Sequence, residues 1–155
     1  MPNIEQAFTI DWAQAIIDLL RVSLAFALAL PVAWERYKSD RHLGLRTFPI
    51  VAMASCGFVL IAKPHAEGNP EVLARILQGL LSGIGFIGGG AILKQGANVK
   101  GLATAASIWC TGAIGAAVAY EREEIAAVLA LVTVITLRCF TAIKNSNEEG
   151  SPEDE

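Results

Sequence analysis

"SGIGFIGGGAIL", Ser82 to Leu93, contains G-x-G-x-x-G at Gly83, Gly85 and Gly88, the spacing of a dinucleotide-binding loop. Such a loop needs a strand before it, a helix after it, and an acid about 20 positions further on to take a ribose hydroxyl. From Val72 to Tyr120 the chain has no Asp or Glu, so the ribose has no partner. The glycines lie instead within "ILQGLLSGIGFIGGGAIL", Ile76 to Leu93, 18 residues without a charge. A run of that length begins to span hydrocarbon.

The rest of the chain agrees. Of 155 residues, 54% are hydrophobic and 17% charged, where soluble domains average about 25% charged. Five apolar segments predict an all-α, polytopic membrane bundle of five transmembrane helices: Trp12 to Trp34, Thr47 to Ala62, Ile76 to Leu93, Leu102 to Tyr120 and Ile125 to Phe140. The second and fifth have 16 residues, which rise roughly 24 Å as helix and need a thinned bilayer or snorkelling flanks; one of them is alternatively re-entrant or buried. With no Lys or Arg before Arg21, the first helix is not expected to be a cleaved signal.

Basic residues set the expected orientation. Arg36, Lys38, Arg41, Arg46, Lys94, Lys100, Arg138 and Lys144 fall on one side, against Lys63, Arg75 and Arg122 on the other. The N-terminus is therefore expected outside and the C-terminus in the cytoplasm. Residues 1–140 form the expected membrane domain and 141–155 an acidic disordered tail, since "NEEGSPEDE" holds five of the 15 acids. Cys56, Cys110 and Cys139 stand alone within apolar runs, as small buried hydrophobes.

Ten of the 14 glycines lie between Gly79 and Gly115. Gly79 with Gly83, and Gly85 with Gly89, are GxxxG pairs, which let helices approach closely in lipid. The third helix is accordingly expected at the centre of the bundle. Alternatively, "GGG", Gly88 to Gly90, unwinds and offers carbonyl oxygens to an ion. Asp18 and Arg21, three apart on one helix face, are expected to pair within the outer part of the bilayer, with Arg75 competing for Asp18. Asp18 is the weak candidate for a metal ligand. The loop "WERYKSDRHLGLRTFP" and the turn around Asn98 form a polar cytoplasmic surface. His42 and His65 fall on opposite sides, no nucleophile has a nearby base, and no enzymatic activity is expected.

"WERYKSDRHLGLRT" followed by "RILQGLLSGIGFIGGGAILKQGANVKGLATAASIWCTGAIG" closely resembles the MgtC/SapB family of bacterial inner-membrane proteins. The resemblance runs from the first helix to the fifth. It singles out Glu35, Arg36, Gly44, Leu45, Arg46 and Thr47 in the first loop, and Gly83, Gly85, Phe86, Gly88 and Gly90 in the third helix. Val99, Gly101, Thr104, Ala105, Ala106 and Trp109 follow. Ala33 and Tyr37 depart from the family's G-x-E-R-E pattern, and Ala103 from a usual threonine. The chain is expected to be a short, membrane-only relative without the soluble C-terminal domain.

The resemblance implies a role in magnesium homeostasis and low-magnesium adaptation, including survival of pathogens inside host cells. Two functions follow from it: a membrane regulator of a larger complex, such as the F-type ATP synthase, or a transporter of magnesium or another cation. Magnesium prefers near-octahedral oxygen ligands, and a single carboxylate beside an arginine is a poor site for it. The regulator is therefore the first expectation. No cofactor is expected beyond magnesium as a transported or sensed ion. The small-residue faces predict a homo-oligomer, and nothing suggests nucleic-acid binding.

Overall fold

The computed structural model describes residues 11–39, 45–66, 69–95 and 98–149. Five helices run alternately between the two ends of a bundle: α1 (Trp12–Ser39), α2 (Thr47–Ala62), α3 (Pro70–Gly90), α4 (Leu102–Ala119) and α5 (Glu123–Glu149). A 3-10 turn, Lys63–Ala66, extends α2. Among the described residues, four segments are long and apolar enough to cross a membrane: α1, α2 with its turn, α3 and α4. Large apolar side chains cover the outside, with Phe86 85% exposed and Ile61 70%. In water such a surface would aggregate; facing lipid, it is the expected exterior of a multi-pass membrane protein.

Local signals explain the helix ends. Asp11 accepts from the backbone N–H groups of Ala13 and Gln14 at 3.0 and 3.1 Å, which caps α1. Asn69 caps α3 by accepting from the Glu71 N–H at 3.2 Å, and Pro70 follows where a missing donor is harmless. The α4–α5 turn is a Schellman motif: the Glu121 N–H donates to Val118 and the Arg122 N–H to Ala117, both at 3.0 Å. The left-handed position, usually glycine, is held by Glu121 at φ 60°.

The core lies between α2 and α4. Phe48, Ala52 and Val59 meet Ile108, Ile114 and Val118, all fully or almost fully buried. α1 adds Ala25, Ala29, Val32 and Ala33, and α5 adds Ala126 and Ala130. The expectation that α3 is central is overturned, because α3 buries only Ile84 and Gly88 and packs on one flank. Around Gly79, Gly83, Gly85, Gly89 and Gly90, an added Cβ would meet nothing within 4 Å. Close packing falls instead to Gly112 and Gly115 of α4.

The unwound "GGG" is also overturned, since α3 is helical through Gly90. Its last turn tightens, with Ala91 N–H donating to Gly88 at 3.0 Å and Ile92 N–H to Gly89 at 3.1 Å. These 3-10-type bonds engage the carbonyls of Gly88 and Gly89, two of the three that an unwound turn would offer an ion. A two-stranded antiparallel hairpin, absent from the all-helical expectation, joins α3 to α4. Leu93–Gln95 (β1) pairs with Asn98–Lys100 (β2), with Leu93 opposite Lys100. Cys56 is buried, but Cys139 is exposed on the bundle's surface rather than in its core. α5 continues to Glu149, and residues 150–155 of the expected tail lie outside the described residues, as does His42.

Candidate functional site

Charged side chains gather at the two ends of the bundle. At the end marked by the hairpin, the adjacent residues Glu35 and Arg36 of α1 reach different helices. Arg36 lies in line with Ala25, Ala29 and Val32 on the buried face of α1 and is 8% exposed. It donates from Nη2 to Thr104 Oγ1 at 2.7 Å. Thr104, in the first turn of α4, is fully buried. Glu35 points toward α5, where Oε2 accepts from Arg138 Nε at 2.9 Å. One turn of α1 thus ties α4 and α5 to itself through charge-assisted bonds.

Glycine geometry places α4 beneath that clamp. Gly101 has φ 89°, and a Cβ there would sit 2.0 Å from the Ala91 carbonyl oxygen. Its own carbonyl accepts from the Ala105 N–H at 2.8 Å, starting α4. A Cβ on Gly88 would stand 3.3 Å from the Ala105 carbonyl. The end of α3, the hairpin and the start of α4 therefore form one close-set corner. Glu35, Arg36, Gly88, Gly101 and Thr104 belong to it.

Other expected site residues lie elsewhere. Arg46 is exposed at the start of α2, where its carbonyl accepts from Ile50 at 3.1 Å. Gly83, Gly85 and Gly90 face open space. Trp109 is exposed on the bundle's exterior. Asn98 is on β2, paired in register with Gln95.

The opposite end holds Asp18, Arg21, Lys63 and Glu121. The expected Asp18–Arg21 pair does not form: Asp18 Oδ1 accepts from Gln14 Nε2 at 2.8 Å, one turn earlier. Arg21 Nη2 and Lys63 Nζ converge on Glu121 Oε1, at 2.6 and 2.5 Å. The Schellman turn presents that carboxylate to both cations, so a partner 100 residues away displaces the local one. The hydrogen bond and charge of Lys63, and then the charge of Arg21, hold the Glu121 carboxyl below its ordinary range. These groups line a cleft of about 380 Å³. Arg75 does not join them; it lines a separate groove between α2 and α3. Among the described residues, no three His, Cys, Asp or Glu side chains gather as a metal site.

The decisive comparison is with the MgtC family, whose model matches residues 22–146. The chain belongs to the MgtC family. It is 35% identical over 147 residues to the protein slr0014 of Synechocystis sp., covering 92% of this chain and 60% of that protein. The protein SrpB of Synechococcus elongatus is 33% identical over 147 residues, covering 86% of this chain and 79% of SrpB. MgtC of Salmonella typhimurium is 40% identical over 100 residues, covering 64% of this chain and 41% of MgtC. The chain thus spans about three-fifths of slr0014 and two-fifths of MgtC. No solved structure matches it.

One feature at each end of this MgtC-family bundle escaped sequence reasoning: the burial of Arg36 and the role of Glu121. Arg36 sits in a dense charged run that reads as a solvated loop, and only its spacing from Ala25, Ala29 and Val32 signals burial. Glu121 is a single acid in a short turn. Its signal is the "YEREE" break, Tyr120 to Glu124, between two apolar runs.

Proposed function

We propose that this MgtC-family chain is a non-enzymatic inner-membrane regulator linked to magnesium homeostasis, acting by contact with a larger membrane complex. The observation that carries this reading is the close contact of α2 and α4 in the core. A Cβ on Gly115 would lie 2.0 Å from the Ala52 carbonyl oxygen, so at that level the two helices touch backbone to backbone and leave no room for an ion between them. Exposed Arg46, Lys94 and Lys100 supply a basic surface at the hairpin end, which we assign to the cytoplasm by the excess of basic residues there. The F-type ATP synthase is the partner that the family resemblance suggests. Contact between copies of the chain is compatible with Gly85 and Gly89, where an added Cβ would meet nothing within 4 Å and which lie outside the α2–α3 groove.

Transport of magnesium or another cation is the second reading, and the polar cleft beside Asp18 favours it. Against it, Arg21 and Lys63 line the same cleft and repel a divalent cation. Magnesium influx into vesicles carrying the purified chain separates the two, measured alongside growth in low magnesium. The regulator predicts no influx above empty vesicles, and an Arg46→Ala chain that loses the growth phenotype. Saturable influx that falls in Asp18→Asn would establish transport instead.

A further inference from the structure

α2 and α3 leave a groove of about 580 Å³ between them, within the roughly 300–1,000 Å³ of ligand clefts. Its walls are apolar: Ile76, Leu80 and Ile87 on α3 face Val51 and Phe58 on α2. Gly79 and Gly83 line it as well, and a Cβ on either would meet nothing within 4 Å. They open space rather than bring helices together. From Arg75 to Ile87 the α3 wall rises roughly 18 Å, close to one leaflet's share, about 15 Å, of the hydrocarbon core.

Among the described residues, one charged side chain lines the groove, at the end where α3 begins. Arg75 is exposed there and, among the described residues, has no ion-pair or hydrogen-bond partner. Every other arginine with a described side chain, apart from Arg46 in its exposed loop, bonds to an acid or a hydroxyl. Arg75 lies five residues inside the candidate span Pro70–Gly90, within snorkelling reach of the headgroups. A cation there, above an apolar slot about one leaflet long, complements one amphiphile: a phosphate joined to an acyl chain. Guanidinium and phosphate match in charge and in paired donor geometry.

We propose that the α2–α3 groove is a glycerophospholipid site, with one acyl chain between Phe58 and Leu80 and the phosphate on Arg75. Gly79 and Gly83 keep the slot open, and α3 is held on the bundle by α4 on one side and by lipid on the other.

Phosphatidylglycerol with a photoactivatable acyl chain, diluted into phosphatidylcholine vesicles carrying the full chain, tests this. Adducts mapped by mass spectrometry are expected to concentrate on residues 50–58 and 76–87. Arg75→Gln lowers that labelling about tenfold, as loss of one charge-assisted bond implies, and Arg75→Lys retains most of it. Gly83→Leu, whose Cβ would meet nothing within 4 Å and whose branches fill the slot, abolishes it. Labelling spread evenly over all the outward helix faces, or unchanged in Arg75→Gln, would overturn the site in favour of bulk lipid. Chain-to-chain cross-links through Leu80 in place of lipid adducts would give the groove to a second copy and overturn it equally.

Discussion

Gly115 of α4 and Ala52 of α2 meet so closely that the smallest side chain on Gly115 would lie 2.0 Å from the Ala52 carbonyl oxygen. Backbone cannot rotate away as a side chain can, so Gly115→Ala must push α2 from α4 along the centre of the core. The expected cost is about 1–3 kcal/mol, seen as a lower midpoint of thermal unfolding in detergent. Gly112→Ala is milder, because its Cβ would meet the Cδ1 end of Ile84 at 2.2 Å, and that side chain can change rotamer. On α3, Gly85→Ala is neutral or stabilising by up to about 1 kcal/mol, since it gains helix propensity and meets nothing.

Thr104 receives the guanidinium of Arg36 at 2.7 Å inside the bundle. Thr104→Val keeps the shape and removes the acceptor from a buried cation. It is expected to destabilise the chain by about 1.5–3 kcal/mol. Thr104→Ser, which restores the hydroxyl, recovers most of that in the same unfolding assay.

Glu35 and Arg138 also join two helices, but Arg138 is mostly exposed. Exposed pairs contribute roughly 0–1 kcal/mol. A double-mutant cycle on Glu35→Gln and Arg138→Gln is expected to give a coupling in that range, and well below the Thr104 effect. A larger value would place this contact in lower dielectric than its exposure suggests.

Glu121 gives the chain a dependence on acid. Its carboxyl titrates lower when folded than when unfolded, so the pairing with Lys63 and Arg21 stabilises the fold above the ordinary carboxylate range. That contribution disappears as pH falls through the lowered folded value. Wild type is expected to be more stable than Glu121→Gln near neutral pH, with the difference vanishing well below roughly pH 4. Glu121→Gly separates two opposing effects: it relieves the left-handed backbone and loses both ion pairs. Raising salt at neutral pH narrows the gap between wild type and Glu121→Gln, and shifts the balance toward Glu121→Gly.

Much of the bundle is legible from composition because each apolar run is bounded by charge. α2 begins and ends where the sequence predicts, between Arg46 and Lys63, and α4 begins at Leu102 directly after the Lys100-Gly101 break. Packing order is not legible in the same way. A GxxxG pair states that a helix can be approached, not which neighbour approaches it. Gly79 and Gly83 satisfy the pattern and face a groove, whereas Gly112 and Gly115, three apart, make the close contacts. The i, i+3 rule likewise paired Asp18 with Arg21, and it failed because a turn distant in sequence delivers a carboxylate supported by two cations. Of the candidate site, the clustering of Glu35, Arg36, Gly101 and Thr104 matches residues that the family resemblance singles out. The burial of Arg36 follows from helical spacing with the alanines of α1, which a local reading of charge density hides.

The buried hydroxyls of α4 bear on how the chain enters a bilayer. Ser107 donates to the Ala103 carbonyl at 2.6 Å and Thr111 to the Ser107 carbonyl at 2.7 Å, both one turn back on the same helix. α4 therefore carries these two polar groups into hydrocarbon already satisfied, before any neighbour is present. They give it no directional pull toward α2, and the pair must recognise each other by contour alone. Insertion and assembly are then separable events for this helix: exchanging Ser107 for alanine leaves both intact, while a single methyl on Gly115 permits the first and obstructs the second.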